Sequence, residues 1–101
     1  MVKHIVSFKF SGTETERKSA CDRFKAALTA LTEQIGCLES MEVGINENPA
    51  ETWDLVLIAT VPSMEDVKVY AKHPAHVAAA ALVKPQIEAR ACVDYQILET
   101  V

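Results

Sequence analysis

At 101 residues the chain has room for one domain, whose single core is marginal unless a partner covers part of it. Half of the residues are apolar, which argues against a disordered chain; a formal charge of −4 without a dense lysine or arginine stripe argues against nucleic acid and anionic membranes as partners. No stretch approaches the roughly 20 apolar residues of a membrane span, and the N-terminus enters a strand pattern without a signal-peptide cleavage site, so the expected compartment is the cytoplasm.

Residues 4–10 alternate, with His4, Val6, Phe8 and Phe10 on one face and Ile5, Ser7 and Lys9 on the other, which predicts a first strand with an aromatic inner face. Thr13-Glu14-Thr15-Glu16 then has the form of a capping box, the Thr13 hydroxyl meeting the Glu16 N–H while the Glu16 side chain reaches back. The helix it starts carries one apolar stripe of Ala20, Phe24, Ala27, Leu28, Leu31 and Ile35, with Gly36 expected to close it. Residues 38–45 alternate less cleanly and suggest an edge strand, followed by a loop of turn formers over 46–52.

Residues 53–61 form the most apolar stretch, a third strand with Leu55, Leu57 and Ala59 on one face and Val56 and Ile58 on the other. Ser63 is a good N-cap for a second helix, expected to turn Met64, Val67, Tyr70 and Ala71 inward. That helix breaks at His73-Pro74, resumes from Ala75 through Val77, Ala80, Ala81 and Val83, and closes at Lys84-Pro85. A last strand is expected over residues 91–98. Cys21, Cys37 and Cys92, odd in number and without a C-x-x-C spacing, read as reduced, half-buried packing residues.

The order strand, helix, strand, strand, helix, strand over residues 1–101 is the α+β, ferredoxin-like βαββαβ arrangement, one antiparallel sheet with its helices on one face. Two helices cover only one side. With Ile5, Trp53, Leu55 and Leu57 assigned to the other, that side needs a second layer, and a copy of the same sheet supplies it, so a homodimer is expected.

Taken together, Lys3-His4-Ile5-Val6 with Phe8-Lys9-Phe10, Val43-Gly44, Trp53-Asp54-Leu55-Val56-Leu57, Tyr70-x-x-His73-Pro74-x-His76, Val83-Lys84-Pro85 and Val93-Asp94-Tyr95 resemble the stress-responsive A/B barrel domain. The match runs in order over nearly the whole chain. It implies a dimeric α/β barrel made of two facing sheets, with a small cavity between each sheet and its helices. Many members look like stress-associated proteins, while the olivetolic acid cyclase type is an enzyme whose catalytic tyrosine and histidine match Tyr70 and His76 and whose pocket histidine matches His4. The chain departs from that type at Asp54, where the cyclase has a histidine, and at Ala27, which replaces a pocket aromatic.

The residues themselves support two readings from different classes. In one, the dimer binds a small apolar or carbonyl-containing ligand, or serves a stress-related role, with a pocket lined by His4, Val6, Phe8, Phe24, Val56, His73 and Asp94. In the other it is a cofactor-independent cyclase or isomerase, in which His76 takes a proton and Tyr70 donates a hydrogen bond to a developing enolate. His73 could instead fix the turn, His4 could be a satisfied core histidine, and Asp94 could orient an imidazole or pair with Arg90 or Lys9. His73 and His76 stand three apart on one helical face, but the intervening proline and the missing third ligand argue against a metal there. With Gly12, Gly36 and Gly44 as the only glycines, no phosphate-cradling loop is present, so no cofactor is expected.

Overall fold

The computed structural model describes residues 1–97. Its elements are β1 (Val2–Phe10), α1 (Glu14–Thr29), a 3₁₀ turn (Ala30–Glu33), β2 (Ser40–Ile45), β3 (Leu55–Val61), α2 (Met64–Lys72), α3 (Pro74–Ala81), a second 3₁₀ turn (Lys84–Gln86) and β4 (Ile87–Gln96). The strands form one antiparallel sheet in the order β2-β3-β1-β4, the ferredoxin-like arrangement. No helix among the described residues is long and apolar enough to cross a membrane.

The local signals act where their chemistry places them. Thr13 and Glu16 exchange the two hydrogen bonds of a capping box, each 3.2 Å long, and Ser63 Oγ accepts from the Asp66 N–H at 3.4 Å. The stripe of α1 and the turn after it buries Ala20, Phe24, Leu28, Leu31 and Ile35. Gly36 does not close this helix. The chain tightens into the 3₁₀ turn instead, the Gln34 N–H bonding the Leu31 carbonyl three residues back at 3.0 Å, and the only positive-φ residue described is Gly12. On α2 the inward residues are Val67 and Tyr70, while Met64 and Ala71 are exposed. On α3 and beyond, Ala79 and Val83 are buried and Val77 is exposed.

Register decides which face each strand residue takes, because directly opposed residues share a side. Leu57 opposes Val6, and Leu55 opposes Phe8, so both leucines lie under the helices within the core rather than on the helix-free face. The helix-free face carries Ile5 opposite both Ile58 and Val93, Ser7 opposite Val56, and Lys3 opposite Tyr95. Val93 and Tyr95 are 62% and 45% exposed, so this is an open apolar row. Trp53 precedes β3 and joins Ser7, Gly44 and Val56 around a concavity of about 540 Å³.

The last strand begins at Ile87, four residues before its expected start, and Leu98 lies outside the described residues. The helices cover β1 to β3 and the start of β4, where Ile87 packs against the core, and leave β4 open on both sides from Arg90 onward: Val93 and Tyr95 face away from the helices, and Cys92, Asp94 and Gln96 face toward them, all exposed. Cys92 is therefore not half-buried, in contrast to Cys37, while Cys21 is buried.

Candidate functional site

Three rings from three elements meet beside the open strand. His4 comes from the inner face of β1 and is 6% exposed, Tyr70 from the last turn of α2 and is fully buried, and His76 from the first turn of α3 and is half-buried. On a continuous helix Tyr70 and His76, six residues apart, would point about 120° apart. His73 interrupts it with extended backbone (φ −61°, ψ 135°), and its Nδ1 accepts the Ala75 N–H at 3.0 Å, capping the helix that Pro74 begins. The break brings the Tyr70 and His76 ring centroids to 4.6 Å, and Tyr70 lies edge-on to His4 at 5.7 Å.

Hydrogen bonding fixes what each ring can offer. His76 Nδ1 lies 3.0 Å from the Ala71 carbonyl, which only accepts, so Nδ1 carries the proton and Nε2 keeps the lone pair. His4 Nδ1 lies 2.5 Å from Asp94 Oδ1, its direct opposite on β4, so Asp94 orients an imidazole. The Tyr70 hydroxyl is buried and has no hydrogen-bond partner among the described residues. An unmatched buried group of this kind costs about 1–3 kcal/mol.

Burial also sets protonation. It lowers the His76 pKa, outweighing the Ala71 hydrogen bond that raises it, and the charges of His4 and Arg90 lower it further. Tyr70 is pushed up by burial, against the pull of Arg90, and stays a phenol at neutral pH. The pair thus offers a neutral imidazole nitrogen and an O–H donor in contact.

The other residues expected at the site separate into neighbours and non-neighbours. Val6, Phe8 and Phe24 are core residues on the helix side, with Phe8 and Phe24 edge-to-face at 5.2 Å. Val56 points to the opposite face of the sheet, because it opposes Ser7 and not Val6, and cannot line a space with His4. The His73 ring is committed through Nδ1 to its cap. Asp54 lies at the far end of β1, where its carboxylate accepts the Phe10 N–H at 2.7 Å. The concavity of about 540 Å³ and another of about 750 Å³ along α1 and the β2–β3 loop are not lined by His4, Tyr70 or His76.

Sequence reasoning overlooked two residues of β4. Arg90 is near enough to act electrostatically on both Tyr70 and His76, and Cys92 Sγ stands 3.5 Å from His4 Nδ1. Alternation alone puts Cys92 on the face of Asp94. Its nearness to His4 comes from pairing between chain positions 88 apart.

The family profile described as Stress responsive A/B Barrel Domain matches residues 2–97. A dimeric protein of unknown function and ferredoxin-like fold from Bacteroides fragilis is 43% identical, with a TM-score of 0.92 over 95% of each chain. A dimeric ferredoxin-like protein of unknown function from Thermobifida fusca is 25% identical, with a TM-score of 0.81 over 95% of this chain and 90% of its own. The hydroxynitrile lyase from Passiflora edulis shares the fold at 20% identity, with a TM-score of 0.78 over 99% of this chain and 95% of its own. Among curated proteins none matches.

Proposed function

Because the chain belongs to the stress responsive A/B barrel family, we propose that it acts as a homodimer that binds a small organic molecule, apolar in body and carrying a carbonyl or phenolic oxygen, beside His4, Tyr70 and His76. The buried, unpartnered Tyr70 hydroxyl carries this reading. A ligand oxygen would relieve its desolvation, and His4, which lies edge-on to Tyr70, pairs directly with Asp94 on the exposed part of β4. Dimeric neighbours and the open row of Val93, Ile5 and Ile58 support the homodimer. Three free thiols fit a reducing compartment, and the cytoplasm is part of the proposal.

Titration calorimetry with a panel of phenolic ketones tests the binding reading. At least one should bind, and Tyr70→Phe should weaken it about tenfold, the value of one hydrogen bond. Failure of the whole panel, or unchanged affinity in Tyr70→Phe, would overturn it.

The contact between Tyr70 and a neutral His76 favours a second reading, cofactor-independent proton transfer. His76 Nε2 would take the proton from a carbon next to a carbonyl, while the Tyr70 O–H donates to the oxygen that gains charge, the chemistry of a cyclisation, isomerisation or aldol-type closure. Under this reading His76→Ala loses about 10²-fold or more in turnover with the fold retained.

A further inference from the structure

We infer that His4 Nδ1, Cys92 Sγ and Asp94 Oδ1 form a binding site for one zinc-like divalent ion, a site that shares His4 with the ligand reading above but rests on a different set of donor atoms. These three donor atoms come from adjacent strands and lie within 4.8 Å of one another. Zinc favours imidazole, thiolate and carboxylate donors, and three protein ligands with an open fourth position are the set found where zinc also takes water or a substrate.

The spacing carries the inference. Tetrahedral bonds of ordinary zinc length place a nitrogen and a sulfur ligand about 3.5 Å apart, and a sulfur and an oxygen about the same. Cys92 Sγ lies 3.5 Å from His4 Nδ1 and 3.7 Å from Asp94 Oδ1, so two of the three separations are already in place. The third, 2.5 Å between His4 Nδ1 and Asp94 Oδ1, is a hydrogen bond, and it must open by under about 1 Å for an ion to replace the proton. Asp94 is on the exposed strand and has room to move, whereas His4 is held in the core and serves as the fixed ligand.

The charges and protons balance. A divalent cation with one thiolate and one carboxylate is neutral, which suits a site bordered by core residues. Cys92 gives its S–H proton to solvent as the metal–sulfur bond forms. The proton shared between His4 Nδ1 and Asp94 Oδ1 moves to His4 Nε2, which frees both atoms to bind the ion. The exposed faces of Cys92 and Asp94 provide the entry path. The site shares no residue with the His73 and His76 pair, whose first member is already committed to its cap.

Cobalt(II) titration of the reduced, metal-stripped protein, followed by absorption, tests the assignment. One equivalent per chain should produce a thiolate-to-cobalt charge-transfer band in the near ultraviolet, which zinc then abolishes by displacement. Cys92→Ser should remove the band, and Asp94→Asn should weaken binding by at least the roughly 10–100-fold that loss of an outer-shell partner costs. Cys92 is exposed, so its variant should keep the wild-type circular dichroism. Absence of the band, its survival in Cys92→Ser, or unchanged affinity in Asp94→Asn would each overturn the site.

Discussion

Tyr70 pairs complete burial with an unsatisfied hydroxyl, so stability and function should respond to it in opposite directions. Tyr70→Phe deletes a polar atom that the fold does not use; the melting temperature should hold or rise while ligand affinity falls, and a calorimetric scan beside the titration reads both. His76 makes a pH prediction. Its folded pKa lies below the ordinary 6.5, so below that value the unfolded chain binds more protons than the folded one. Its stabilising contribution is therefore complete above about pH 6.5 and is lost as the pH falls toward the folded value; His76→Gln should flatten that part of a denaturation-against-pH curve. Residue type and spacing drew attention to Tyr70, His76, His4 and Asp94, while the roles expected of Tyr70, His76 and His4 rested on the family resemblance. Neither pointed to Cys92, because its nearness to His4 depends on which strand pairs with β1, and a cysteine alternating along an exposed strand carries no mark of that partner.

At the scale of elements, the His73-Pro74 junction is what makes the ring cluster possible. Pro74→Ala lifts the restriction on His73 and restores a backbone N–H, which favours one helix running from α2 into α3. The expected outcome is a stronger helical circular dichroism signal and loss of the cross-peaks between the Tyr70 and His76 rings in NOE spectra. His73→Ala removes the cap but keeps the proline, and should cost about 1 kcal/mol in chemical denaturation with the ring contact preserved. The break was readable because proline acts locally and the same way in any context. The end of α1 was not: Gly36 looked like a left-handed cap, yet the 3₁₀ turn ahead of it had already closed the helix, a choice made by how Leu31 and Ile35 reach the core. The early start of β4 was hidden for a similar reason, since Arg90 and its neighbours gain strand geometry from pairing with β1 rather than from their own preference.

For the whole molecule, the two faces of the sheet make separable predictions. Ile58→Asp puts a charge in the middle of the open apolar row, and light scattering should then fall from about twice the 11.1 kDa chain mass to a single chain that keeps its circular dichroism. Leu57→Asp buries the same carboxylate under the helices and should unfold the chain outright, at several kcal/mol. Alternation along β3 told the faces apart but not which one the helices take, since both are apolar; the register with Val6 settles it. The uncovered strand β4 has a further consequence, for the history of the fold. Arg90 and Cys92 stand beside the ring cluster yet lie outside the packed core, so, unlike a change at Asp94, which holds the buried His4, most replacements there should shift stability by no more than about 0.5 kcal/mol. Descendants of one ancestor can therefore exchange the chemistry along this strand while the core that folds them stays unchanged, and new specificities can arise by drift on β4 without compensating mutations elsewhere.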